Sequence, residues 1–313
     1  MGTARPRQRV EGAETATPPV HPDPESHQSA GVPASLLDYL HACPICSHTD
    51  LRHYCRVPSR FNAGEFICYE RCGRCGTVLR NPRLPAAYRL DRYEEQAFGA
   101  EQRELRQKAQ LHYWYMVRVL TRLLPAGSGR RFLDFGCGAG GFLVEARQAG
   151  FEVMGLELNR DLAGHVSSHY GIPVFQGLVS DAGFSKEKFD IIVSSQVFEH
   201  LLDPRETLAE LREHLRSPGL LLIEVPNLRD FRERLSRGST MDDSHLFYFS
   251  RRSLGWLLRD GGFHVLRVEE GLRPYGLIGR VARHLPLPLL AAAEKLASAC
   301  QLKTVLSVVA ALG

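Results

Sequence analysis

The stretch Arg131-Phe132-Leu133-Asp134-Phe135-Gly136-Cys137-Gly138-Ala139-Gly140-Gly141 decides how the rest of the chain is read. Arg131 to Phe135 predicts a short, largely apolar strand, and the glycines after it turn the chain tightly into a helix from Phe142 to Gln148. A strand, a glycine turn and a helix start form a cradle for a nucleotide-like group. Spacing alone leaves the ligand open, because Gly136, Gly138 and Gly141 also satisfy the dinucleotide pattern G-x-G-x-x-G. Two carboxylates separate the alternatives. Asp134 lies where a dinucleotide-binding strand stays apolar. Glu157 ends the next predicted strand, Val153 to Leu156, where a carboxylate can accept hydrogen bonds from both hydroxyls of a ribose.

Downstream, strands and helices alternate. Strands are predicted at Pro173 to Phe175, Phe189 to Ser194, Leu220 to Val225 and His264 to Val268. Amphipathic helices are predicted near Leu162 to His169, Pro204 to Leu215 and Arg252 to Leu258. This is the pattern of an α/β fold with a parallel sheet, in which ligands sit beyond the carboxyl ends of the strands.

Upstream, Gly127-Ser128-Gly129 breaks the chain after a helix-forming bridge, Glu101 to Leu124, with apolar positions at Leu111, Trp114, Tyr115, Val117, Leu120 and Leu123. Before it stand two Cys-x-x-Cys pairs, Cys43/Cys46 and Cys72/Cys75. Each pair opens a tight turn, and two such turns offer one zinc ion four thiolates with no open position, so the metal is expected to be structural. The module around them, residues 41–85, has too little apolar sequence to fold without such help. Cys55, Cys68 and Cys300 are read as small hydrophobes outside the site.

The expected organisation is a disordered tail over 1–35, a zinc-ribbon-like module over 41–85, a helical bridge or lid over 86–126, and an α/β domain over 127–313. The tail lacks the apolar core of a secretory signal, and every apolar run is shorter than the roughly 18–20 residues that span a bilayer. A cytoplasmic protein without integral membrane association is the expectation. Its 313 residues are 44% hydrophobic and 24% charged, which excludes a fibrous or wholly disordered chain. A net charge of +4 is too small to demand a nucleic-acid partner.

Taken together, the ordered motifs resemble the class I S-adenosylmethionine-dependent methyltransferases from about Arg130 onward. Leu133-Asp134-Phe135-Gly136-Cys137-Gly138-Ala139-Gly140 looks like their first motif. Phe189-Asp190-Ile191-Ile192-Val193 with Phe198-Glu199-His200-Leu201-Leu202-Asp203-Pro204 is similar to the fourth-strand motif of the branch containing quinone-biosynthesis O-methyltransferases. Leu222-Ile223-Glu224-Val225-Pro226-Asn227 looks like the fifth strand. His245-Leu246-Phe247-Tyr248-Phe249-Ser250 looks like the approach to the sixth. The resemblance implies a Rossmann-like, seven-stranded sheet, with an antiparallel last strand in Lys303 to Leu312 and a helix at Leu287 to Cys300 before it. A membrane-surface helix in Leu285 to Ala299 is the competing reading of that stretch.

The same resemblance implies roles. Gly136, Gly138 and Gly140 let the backbone approach the cofactor, Asp134 orients its ammonium, Glu157 holds the ribose, and Gly177 and Leu178 flank the adenine. Gln196, Glu199 and His200 face the methyl group. His200, with an unperturbed pKa of about 6.5, is the candidate general base, with His245 as second candidate. Where some quinone methyltransferases carry Glu-x-x-Glu-His for a divalent cation, this chain has Gln196, which disfavours magnesium. The expected substrate is a small molecule or glycan, methylated at oxygen first and at carbon as the alternative. The alternative is RNA, recognised by the zinc module through Arg71, Arg74, Arg80 and Arg83. A catalytically silent binding domain is the third reading. Neither an Asp/Asn-Pro-Pro-Tyr after the fourth strand, as amino-group methylation of a base needs, nor a Pro-Cys after the fifth, as cytosine C5 chemistry needs, is present.

Overall fold

The computed structural model describes residues 37–59, 66–84, 99–127, 129–181, 183–184, 186–228, 238, 241, 244–271 and 305–313. The expected tail, the expected helix Leu287 to Cys300 and the alternative helix Leu285 to Ala299 lie outside those residues.

Seven strands form the main sheet in the order β10-β11-β8-β7-β4-β5-β6. They are β4 (Arg131–Phe135), β5 (Glu152–Glu157), β6 (Val174–Gln176), β7 (Phe189–Ser195), β8 (Leu215–Pro226), β10 (Phe263–Gly271) and β11 (Val305–Leu312). The five from β6 to β8 run parallel, and β11 is antiparallel to both its neighbours, β8 and β10. The seven-stranded Rossmann-like sheet is therefore present, with its last strand in the expected place.

Side-chain alternation along the strands divides the core into two layers. Phe132, Ile191, Val193, Leu222 and Val309 pack on one face with α1 (Gly99–Leu123) and α2 (Gly141–Gln148). Leu133, Ile192, Leu221 and Ile223 pack on the other, with Leu208 and Leu211 of α4 (Pro204–His214) and Leu254, Leu257 and Leu258 of α5 (Arg251–Asp260). Fully buried side chains of this size contribute about 1.5–3 kcal/mol each. On α1 the expected apolar stripe is buried at Leu111, Tyr115, Val117 and Leu120, but Leu123 is 45% exposed. The buried face is completed instead by Ala109, His112, Met116 and Val119.

Local signals set the helix starts. Asn159 accepts from the N–H of Leu162 at the start of α3 (Arg160–Tyr170), and Gly171, at φ 62°, ends that helix. Asp203 accepts from the N–H groups of Arg205 and Glu206 ahead of Pro204, an N-cap followed by proline.

A second sheet, in the order β1-β2-β3-β9, lies beside the first. Its strands β1 (Leu51–Pro58), β2 (Phe66–Cys72) and β3 (Val78–Arg80) come from the cysteine-bearing region. The fourth, β9 (Phe247–Tyr248), comes from far along the chain and pairs Val78 with Tyr248 and Leu79 with Phe247. The small sheet thus takes in residues well beyond the expected limit at 85. No helix among the described residues is long and apolar enough to cross a membrane.

Candidate active site

The parallel strands β4, β5 and β7 end at one edge, and the glycine turn lies across it. Gly136, Gly138 and Gly140 all have positive φ, at 74°, 51° and 78°, a conformation that a side chain resists. Room for a ligand is not the whole reason for glycine here. A Cβ on Gly136 would lie 2.5 Å from Cγ2 of Val197, so the space beside it belongs to the chain's own loop after β7.

Glu157 ties this turn to β5. Its Oε2 accepts from the N–H of Gly138 at 2.8 Å and its Oε1 from the N–H of Asn159 at 2.9 Å. Each carboxylate oxygen has two lone pairs, so one acceptor position on each remains for a diol. Burial raises the Glu157 pKa, and backbone hydrogen bonds from Asn159, Gly138 and Leu158 oppose that shift. Gly177 is adjacent, its N–H donating to the Glu157 carbonyl, and the N–H of Leu178 donates to Oδ2 of Asp181 at 2.8 Å. Asp181 therefore holds that turn.

Asp134 is 2% exposed, and burial, with Glu157 and then Glu224 nearby, pushes its carboxyl well above the usual range. Asp134, Ser195, Glu224 and Ser307 continue the α1-side layer of the sheet toward its carboxyl edge. Glu224 accepts from Ser195 Oγ at 3.0 Å and Ser307 Oγ at 2.6 Å, and its Oε1 lies 2.8 Å from Nε2 of His112 on α1. Three buried polar atoms near this edge lack partners among the described residues: His112 Nδ1, Ser194 Oγ and Gln196 Nε2. Gln196 stands at φ 60°, a left-handed conformation that, among the described non-glycine residues, it shares with Ser47 of the cysteine-bearing region. Strained and unsatisfied groups at one edge fit a bound polar ligand.

Glu199 and His200 lie on the 3-10 turn Phe198–His200 after β7, and His245 reaches them from the segment before β9. One ligand atom from each of the three lies within 4.8 Å of the others. Nδ1 of His200 is 2.9 Å from the carbonyl oxygen of Ser244, which requires N–H there and leaves the lone pair on Nε2. Nδ1 of His245 is 3.2 Å from the Tyr248 hydroxyl. Glu199 is fully buried, and its carbonyl accepts the N–H of Leu246 at 2.7 Å. Helix capping at this place is done by Asp203, so capping does not explain Glu199 or His200.

A family model described as a methyltransferase domain matches residues 103–268. The chain belongs to that family. It is an S-adenosylmethionine-dependent methyltransferase of class I, and among its relatives is a probable S-adenosylmethionine-dependent methyltransferase of Mycolicibacterium smegmatis, 27% identical over 179 residues, 56% of this chain and 69% of that protein. The C-methyltransferase NovU of Streptomyces niveus is 28% identical over 168 residues, 50% of this chain and 38% of NovU. A ubiquinone biosynthesis O-methyltransferase of Methylococcus capsulatus is 32% identical over 107 residues, 32% of this chain and 45% of that enzyme. The chain spans less than half the length of these last two relatives.

Beside the methyltransferase site, Cys43, Cys46, Cys72 and Cys75 come together, their sulfurs all within 4.8 Å of one another. Cys43 and Cys75 sulfurs are 3.6 Å apart and those of Cys46 and Cys72 3.5 Å, close to the roughly 3.8 Å that four thiolates on one tetrahedral zinc adopt. The hydrogen bond from Cys43 draws Cys75 down to about 5, toward thiolate, while burial pushes Cys46 up to about 11. This cluster joins the methyltransferase domain closely. Arg80 N–H donates to the Leu246 carbonyl, the Arg74 guanidinium lies over the Trp256 ring, and Arg83 bonds to the Leu202 carbonyl and to Asp38.

Two site residues escaped the sequence reading. His112 falls at i, i+4, i+7 and i+8 spacing with Met116, Val119 and Leu120, so the buried face of α1 contains a histidine. Glu224 is the one carboxylate in the run Leu220 to Val225. A charge inside a parallel central strand is the signal that would have found it.

Proposed function

We propose that this methyltransferase methylates a hydroxyl of a small molecule or glycan, with His200 as general base. The observation that carries the reading is the meeting of Glu199, His200 and His245 beside the carboxyl edge, with His200 Nδ1 held by Ser244. Bound S-adenosylmethionine supplies a methyl already activated on a sulfonium. What the protein must add is alignment of the acceptor and removal of its proton. With Nδ1 committed to the carbonyl, Nε2 of His200 takes the hydroxyl proton. Buried Glu199 holds this end of the loop through Leu246. In the same reading Glu157 holds the ribose, the positive-φ glycine turn lies along the methionine portion, and Gly177 and Leu178 border the adenine.

Cys43, Cys46, Cys72 and Cys75 hold a zinc ion whose role is structural, since four protein thiolates leave no position for substrate. The RNA alternative is weakened by where the arginines go. Arg80 is buried and Arg83 is bonded inward, which leaves Arg71 and the exposed Arg74, stacked on Trp256, of the proposed footprint.

The test uses purified protein, S-adenosylmethionine with a labelled methyl, and an extract divided into small-metabolite, glycan-lipid and RNA fractions. Label in either of the first two supports the reading, and identification of the product distinguishes the oxygen acceptor from a carbon acceptor such as NovU's name describes. Nuclease-sensitive label would overturn it in favour of RNA.

A further inference from the structure

The Glu224–His112 pair has no part in the proton transfer proposed above, yet it has the properties of a ligand-binding element. Glu224 is fully buried and holds three donors, Ser195, Ser307 and His112 Nε2. A carboxylate accepts only, so Nε2 of His112 carries the proton in this bond. In the neutral ring that fixes the tautomer and puts a lone pair on Nδ1. That atom is buried and without a partner among the described residues, in a residue 5% exposed. A buried acceptor left unsatisfied costs about 1–3 kcal/mol, which a chain avoids unless a ligand completes the bond.

The surroundings define what the ligand must be. His112 packs edge to face on Phe142, in the first turn of the helix after the glycine turn, and its neighbour Tyr113 fills the space over Gly141, where a Cβ would lie 2.3 Å from the ring. His112 is thus held where α1 crosses the glycine turn. Asp134 interacts electrostatically with both Glu224 and Glu157, and these three acidic side chains are all 8% exposed or less. The group complementary to three buried carboxyls and a lone pair is a compact cation with several N–H donors, a primary ammonium.

We propose that His112 is a cofactor-positioning residue: Nδ1 accepts a hydrogen bond from the α-ammonium of the cofactor's methionine portion, with Glu224 locking the ring in the required tautomer. The inference rests on the cofactor lying along the glycine turn. It makes α1 part of the binding site, so that seating the cofactor also fixes that helix on the sheet.

The test is a deletion cycle read by titration calorimetry, with S-adenosylhomocysteine and its analogue lacking the amino group as probes. In the parent protein, loss of the amino group is expected to weaken binding about tenfold or more. In His112→Lys an ammonium N–H replaces Nε2–H toward Glu224, and because that side chain has no acceptor nothing replaces Nδ1. That variant is expected to keep its thermal midpoint, to bind S-adenosylhomocysteine several-fold more weakly, and to lose most of its preference for the amino group. A purely structural His112 would weaken both ligands equally and leave the preference intact, which would overturn the proposal. Equal binding of the two probes by the parent would overturn it without recourse to any variant. A parent that binds neither would instead remove the cofactor placement on which the proposal rests.

Discussion

The rings of His200 and His245 meet edge to face with centroids 4.7 Å apart, although one follows β7 and the other precedes β9. Their contact joins the loop at the end of the main sheet to the strand that completes the small one. The two histidines are nonetheless expected to differ in weight.

His200→Ala should lower kcat by roughly 10²–10⁴ while leaving S-adenosylhomocysteine affinity within about twofold, because the base acts on the acceptor and not on the cofactor. Kinetics with calorimetry on the same preparation checks this. His245→Phe, which keeps a ring against His200, should cost less. A greater loss for His245→Phe than for His200→Ala would exchange the two roles.

Glu157→Ala should weaken cofactor binding by about tenfold to a hundredfold, since it removes the acceptor for the ribose and releases the N–H groups of Gly138 and Asn159. Glu157→Gln should fall between. Unchanged affinity in Glu157→Ala, measured by calorimetry, would remove the ribose assignment.

Asp134 gives a pH dependence with a definite sign. Burial, with Glu157 and Glu224 adding, raises its carboxyl above the ordinary 3.8, so the folded protein holds this proton more tightly than the unfolded chain does. Its contribution to stability is therefore fully present below about 3.8 and is lost as pH rises toward the elevated folded value. Asp134→Asn should raise the thermal midpoint of the ligand-free protein at pH 8, with a gain that shrinks as pH falls toward 4. A gain that grows on acidification would reverse the argument.

Gly136→Ala should destabilise by about 2 kcal/mol or more, because alanine meets both a positive φ and Val197. Val197→Ala in the same chain should restore part of the loss by removing the collision and leaving the backbone strain. Denaturant unfolding of the single and double variants measures the two parts separately.

Metal analysis should find one zinc per chain in the parent and none in Cys72→Ser. Chelation should lower the thermal midpoint and, through the β3–β9 pairing, diminish methyl transfer as well. A parent protein free of zinc would refute the assignment.

The main sheet was legible because its signals are local. An apolar strand, a glycine turn and an amphipathic helix recur along the chain, and the observed bounds differ from those read by a few residues. The exception is β8, which starts at Leu215 where a helix end was expected, since Ser217-Pro218-Gly219 reads as a turn while the sheet absorbs it as an irregularity opposite Phe189 to Ile191. The cysteine cluster was legible from residue type and spacing and the place of Glu157 from the end of its strand, whereas Glu199 and His200 stood out only through the family resemblance. His112 and Glu224 were not legible, because their meaning comes from a contact between a helix and a strand on opposite sides of the glycine turn in the chain. The place of Phe247–Tyr248 in the small sheet was hidden for the same reason, a two-residue pairing that no periodicity announces.

That pairing also constrains how the protein is made. During synthesis the cysteine-bearing hairpin emerges early, yet the strand that covers the outer edge of β3 emerges only after most of the main sheet has been translated. Until then Val78 and Leu79 present open backbone donors and acceptors to any passing strand. A fragment cut at residue 85 would carry that raw edge permanently, so the amino-terminal region is expected to self-associate when expressed alone and to remain monodisperse only when the rest of the chain follows it.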